Sequence, residues 1–238
     1  MSDGHASRPR PQGSLERAAR YALFRGERLG RGLSQTGGRA LVRSAGAPSL
    51  PVPSFTNQAE LATLARLALT SPRGAAGLEI GSYLGASTRY LAAGLSHGGA
   101  RLYCVDTWRN QTMPEGPRDT LEAFKANLGP LMAWVVPIRK PSQELVPRDI
   151  PEPIGLAFID GDHSDEAIRS DVRRALPTLR SDATIAFHDC GTFRGVGRAI
   201  GELLCGGDWV IAGMVDTLVW LRRGRWDASG RAVWSKTE

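Results

Sequence analysis

From residue 57 onward, short apolar runs of strand length alternate with segments of helical period, and no other feature of the chain restricts its fold so much. The segment at 57–69 places Leu61, Leu64, Ala65 and Ala68 on one helical face. Strands are predicted at 77–82, 100–108, 133–138, 154–160 and 183–189, and helices at 87–96, 117–128, 165–180 and 195–204. The helix at 165–180 turns Ile168, Val172, Ala175, Leu176 and Leu179 inward. Strands that are apolar throughout, with a helix after each, belong to a parallel sheet covered on both faces. The rhythm stops near the end. Two further strands, WVIAGMV and TLVWLRR, are parted only by residues around Asp216. That connection is too short for a crossover, so the two form an antiparallel hairpin. The expectation is a doubly wound α/β domain over 51–238, with a mostly parallel seven-stranded sheet that closes in a hairpin.

Residues 1–50 read differently. They hold nine arginines and three acids, whereas basic and acidic residues balance over the rest of the chain. The net charge of +6 therefore sits in an N-terminal extension. It is no signature of a nucleic-acid-binding body. Residues 1–13 are expected to be disordered, Ser14 to Leu33 a basic helix, and 34–55 a loop. Such a helix is expected to pack on the domain or to join two copies of the chain. No run is apolar and long enough to span a bilayer, and Met1 to Ser14 lacks the core of a signal peptide. The three cysteines, Cys104, Cys190 and Cys205, are widely spaced and odd in number, which fits a reducing cytoplasmic setting.

The chemistry gathers at strand ends. In LEIGSYLGAST a strand meets a glycine turn and then a helix. Gly81 and Gly85 let backbone approach a ligand, and the spacing differs from the G-x-G-x-x-G of dinucleotide sites. Acidic Glu79 would repel a phosphate but can accept from an ammonium group or hold the loop. Asp106 ends the second strand, where a carboxylate can accept from ribose hydroxyls. Ser142 follows the third, where an adenine edge can lie. The fourth and fifth strands end in FIDGDHS and FHDC. Asp160 and Asp189 stand on adjacent strand ends, so their oxygens can converge on one hard cation such as Mg²⁺.

This order of motifs resembles the class I S-adenosylmethionine-dependent methyltransferases. Within them it resembles the small-molecule O-methyltransferases of antibiotic pathways, of the macrocin and cephalosporin-hydroxylation types. The resemblance covers about 57–222 and is most specific at FIDGDHS and FHD. It implies a Rossmann-like methyltransferase fold, with Glu79, Gly81, Ser82, Gly85, Asp106 and Ser142 around S-adenosylmethionine. It also implies a small-molecule hydroxyl acceptor in secondary metabolism, and Asp162 as the base that takes the acceptor's proton. Many metal-dependent relatives carry two acidic or amide groups where this chain has His188 and Asp189. Histidine suits softer metals than Mg²⁺, so His188 is the alternative base of a metal-free site. His163 is the less favoured base, since Ser164 or Asp165 starts the next helix and His163 can pack there. Trp108, Met113 and Phe193 are candidates for shaping the acceptor pocket. A rival reading is a partner protein that binds S-adenosylmethionine without methylating. A nucleic-acid methyltransferase is disfavoured, since the amino-directed enzymes resemble [DNS]-P-P-[YFW] where this chain has IDGD.

Overall fold

The fully apolar strands lie at the centre of the sheet, as continuous hydrophobicity requires. A computed structural model of the chain describes residues 31–111, 115–227, 229 and 231–234. Its strands are β1 (Ala76–Ile80), β2 (Leu102–Asp106), β3 (Val135–Arg139), β4 (Ile154–Ile159), β5 (Leu179–Phe187), β6 (Trp209–Val215), β7 (Leu218–Trp226) and β8 (Ala232–Trp234). They are ordered 3-2-1-4-5-7-6, with β8 on the other edge of β7's far end. β1 to β5 pair in parallel, and β7 runs antiparallel to β5, β6 and β8. Every residue of β1 and β4 is buried. The mostly parallel sheet and its terminal hairpin are thus as expected, and β8 is an addition the sequence did not announce.

Among the described residues six α-helices cover the sheet: α1 (Arg31–Ser44), α2 (Gln58–Leu69), α3 (Ala86–Ser96), α4 (Leu121–Leu128), α5 (Asp165–Ala175) and α6 (Arg194–Cys205). Strand alternation sorts the core into two layers. Leu102, Cys104, Phe158 and Ala186 pack with α1 to α4 on one face. Tyr103, Val105, Ile159 and Phe187 pack with α5 and α6 on the other. α2 starts in a capping box, in which Asn57 accepts from the Ala59 and Glu60 amides and Glu60 returns a bond to the Asn57 amide.

Two segments differ from expectation. Part of the predicted loop at 34–55 is helical, since α1 runs to Ser44. Gly37 and Gly38 disfavour a helix by about 1 kcal/mol each. Gly38 repays this by close approach: a Cβ there would lie 2.9 Å from Ala62 Cα of α2. Val42 then enters the core. Most of the basic helix expected from Ser14, and the disorder expected over 1–13, lie outside the described residues. The other difference is α5, which ends at Ala175, short of residue 180. Pro177 cannot donate the next helical bond. The chain makes a 3₁₀ turn at Leu176–Thr178, and Leu179 opens β5.

Strand order reverses direction between β1 and β4, and this places a crevice at the carboxyl ends of β1 to β5.

Candidate active site

Most of the residues singled out in the sequence meet in that crevice. Gly81, Ser82, Asp106, Ser142, Asp160, Asp162 and Asp189 line one cavity of about 660 Å³, within the range usual for small-molecule sites. Glu79, Gly85 and His188 do not line it. They lie directly behind it.

The half of the site at β1 and β2 is built on saturated carboxylates. Glu79 is fully buried and takes the hydroxyls of Ser82 (2.8 Å), Ser87 (2.6 Å) and Thr88 (2.5 Å), with Cys104 Sγ at 3.3 Å. Burial raises its pKa against the pull of these hydroxyls. The sequence left open whether Glu79 meets a ligand or holds the loop. In this structure it binds the glycine turn to the start of α3. Gly81 has φ 87 and passes so near β4 that a Cβ would lie 2.1 Å from the Asp160 carbonyl oxygen. Gly85, also at φ 87, heads α3. Asp106 accepts from the amides of Ser82 (2.9 Å), Tyr83 (2.8 Å) and Trp108 (2.7 Å). A carboxylate offers about four acceptor positions, so one position is left to face the cavity. Trp108 itself is buried against Phe124, ring centroids 4.9 Å apart, and belongs to the core beneath the site. Met113 lies outside the described residues.

The half at β4 and β5 is open. Among the described residues no backbone amide donates to the side chain of Asp160 or Asp189. Their neighbours are two imidazoles. His163 Nε2 lies 3.3 Å from Asp189 Oδ2 and 3.7 Å from Asp160 Oδ1. His188 Nδ1 lies 3.3 Å from Asp160 Oδ1 and 3.5 Å from Asp189 Oδ2. His163 faces the cavity, stacked on Phe193 with centroids 4.4 Å apart and planes 11° from parallel. Donor atoms of Asp160, His163 and Asp189 all fall within 4.8 Å of one another. Neither His163 Nε2 nor His188 Nδ1 has a well-aligned hydrogen bond, although both are buried. Two carboxylates and an imidazole so arranged fit a divalent cation. Asp189 takes φ 58, an uncommon conformation that costs on the order of 1–3 kcal/mol and gathers at functional sites. Asp162 is exposed at the rim. One of its oxygens accepts from the Ser164 amide at 2.8 Å, and Ser164 caps α5.

His188 sits on the far side of the carboxylate pair. It is 3% exposed, and its Nε2 lies 3.1 Å from Glu60 Oε2. Burial acts to lower its pKa, but Asp160 and Glu60 raise it to about 10. Burial likewise raises Glu60, yet His188, the Asn57 amide and Thr217 hold it at about 2. The imidazole is therefore a charged group wedged between acids, with no face on the cavity. That is a poor situation for a base that must receive a substrate proton, so its expected catalytic role does not suit its position. The Asp160 carboxylate raises the pKa of His163 against burial.

Two participants were not legible beforehand. His163 ranks below His188 as a base in the sequence, yet Asp160-x-x-His163 brings it back over its own strand end and onto the cavity. Glu60 does not stand out in the sequence, and in the structure one oxygen serves the helix cap and also meets His188. Its second oxygen takes the amide (2.9 Å) and hydroxyl (2.8 Å) of Thr217, from the β6–β7 turn.

Residues 78–190 match the family model described as a methyltransferase domain. No curated protein sequence matches the chain. Solved structures resemble it in fold. The O-methyltransferase NovP is 12% identical with a TM-score of 0.56, over 81% of this chain and 100% of that one. Cofactor-bound Rv0187 from MTB is 19% identical with a TM-score of 0.54, over 91% and 99%. The MycE methyltransferase of the mycinamycin biosynthetic pathway, solved with Mg, SAH and mycinamycin VI, is 14% identical with a TM-score of 0.54. It is matched over 83% of this chain and 57% of its own length. No helix among the described residues is long and apolar enough to cross a membrane.

Proposed function

We propose that this chain, which carries a methyltransferase domain and has the Rossmann-like methyltransferase fold, moves a methyl group from S-adenosylmethionine to a hydroxyl of a small molecule. The observation that carries this reading is the convergence of the glycine turn and the Asp160–His163–Asp189 cluster on one cavity. The O-methyltransferase NovP and the complex of MycE with mycinamycin VI support the reading by analogy of fold.

Bound S-adenosylmethionine supplies a methyl group already activated on sulfur. Gly81, Ser82, the remaining acceptor position of Asp106, and Ser142 hold the cofactor. Glu79 and Gly85 keep the turn and α3 in shape without touching it. The chain's task is then to place a hydroxyl in line and relieve it of its proton. Asp160, His163 and Asp189 would hold a divalent cation, whose charge would lower the pKa of a hydroxyl beside it. With His163 engaged as a ligand, Asp162 is the carboxylate at the rim with an oxygen to spare, and it accepts the proton.

A second, metal-free reading rests on His188. Its positive charge already lies against Asp160 and Asp189 and can do part of a cation's work there. In that case His163 is unligated, faces the cavity and takes the proton in place of Asp162.

Calorimetry with S-adenosylhomocysteine, with and without Mg²⁺ or Mn²⁺, tests both readings. Absence of binding under every condition overturns the function. Cofactor binding with methyl transfer insensitive to chelator would remove the metal and leave His163 as the base. Loss of transfer on chelation, restored by the cation, supports the first reading.

A further inference from the structure

Asp171, on α5, is 1% exposed, and neither of its carboxylate oxygens has a hydrogen-bond partner. A buried carboxyl left so is costly, and the other buried acids of the domain, Glu60 and Glu79, are fully engaged. Asp171 lies under the cavity floor. A Cβ on Gly161 would come within 3.0 Å of Asp171 Oδ2, and Gly161 lines the cavity together with Ser142. Burial raises its pKa to about 6, and the neighbouring Ser142 hydroxyl acts to lower it. The 3₁₀ turn Ser142–Glu144 packs against α5, which sets the Ser142 hydroxyl beside Asp171 as a donor, although no hydrogen bond joins the two in the structure.

A hydroxyl has one proton and two lone pairs. If the proton points down to Asp171, only lone pairs are left for the cavity. We propose that Asp171 is a positioning residue that fixes Ser142 as a pure acceptor, so that Ser142 reads the exocyclic amine of the cofactor's adenine. This rests on the cofactor reading above. The purine amine is a donor, and a carbonyl in its place would meet an acceptor and be refused.

The test is calorimetric binding of S-adenosylhomocysteine and its deaminated analogue S-inosylhomocysteine to the full chain. The two ligands differ on one edge of the purine, where the amine becomes a carbonyl and N1 gains a proton. The wild type is expected to prefer the adenosyl ligand by about tenfold or more, the effect of one hydrogen bond made against one refused. Asp171→Ala removes the acceptor and frees the Ser142 proton to turn to the cavity. The preference should then fall to about unity or reverse, with the fold unchanged by circular dichroism. Ser142→Ala should abolish the preference too. Asp171→Leu takes the place of the alanine variant if that one does not fold. Equal binding of both ligands by the wild type overturns the proposal, as does an unchanged preference in either Asp171 variant or in Ser142→Ala. If the wild type binds neither ligand, the cofactor reading fails first, and this inference with it.

Discussion

The two halves of the crevice use the same residue type in opposite ways. At β1 and β2, Glu79 and Asp106 are bonded almost to capacity by their own chain. At β4 and β5, Asp160 and Asp189 have no amide donors among the described residues and face imidazoles instead. A saturated carboxylate is structure. An unsaturated one, held in an uncommon backbone conformation as Asp189 is, keeps its charge for something that arrives. Position at a strand end is common to all four, so position alone does not separate scaffold from chemistry.

Substitutions in the two halves should therefore fail differently. The largest effect is expected from Glu79→Ala. It strands three buried hydroxyls, at about 1–3 kcal/mol each, and should lower the melting temperature by about 10 °C or more while abolishing binding of S-adenosylhomocysteine. Asp189→Asn should do the reverse. Methyl transfer falls by about 10²–10⁴-fold, while the melting temperature and cofactor affinity hold. Were Asp189→Asn to unfold the protein and Glu79→Ala to spare it, the contrast would be inverted and the assignments with it.

Behind the open half, the Glu60–His188 pair gives a pH signature of intermediate size. His188 has a folded pKa of about 10 against an ordinary 6.5. Its contribution to stability is complete below pH 6.5 and is lost as pH rises through 10. Glu60 is held at about 2 against 4.5, so its contribution is present above pH 4.5 and is lost as pH falls through 2. Thermal melts of the metal-free protein should show a plateau between about pH 4.5 and 6.5, falling on either side, and His188→Asn should flatten the alkaline limb. An unchanged limb would mean that His188 is not charged in the fold. The smallest effect should come from Gly38→Ala, far from either half. Its Cβ would crowd Ala62, and an expected loss of about 1–3 kcal/mol would appear as a lower melting temperature with cofactor binding intact.

Strand alternation already implied much of this layout. In β5, Ala186 belongs to the α1–α4 face and Phe187 to the other, so His188, next in register, turns toward α2. That parity is readable from the order of residues. What meets His188 there is not, because Glu60 lies 128 positions away, and the oxygen that meets His188 is the one its helix cap already uses. His163 escaped for a different reason. It follows β4 in a short turn, where no period fixes the direction of a side chain.

By itself, then, the sequence determined the alternation of strands and helices, the closing hairpin, and the set of polar residues delivered to the strand ends. These follow from hydrophobic period and chain connectivity, which are local. The tertiary structure decided which of those residues is satisfied by its own chain and which is left open. It also decided that His163, and not His188, faces the cavity, and that a helix with two adjacent glycines can persist. Hydrogen-bond saturation and close packing depend on what arrives from elsewhere in the chain, and only the assembled fold supplies it.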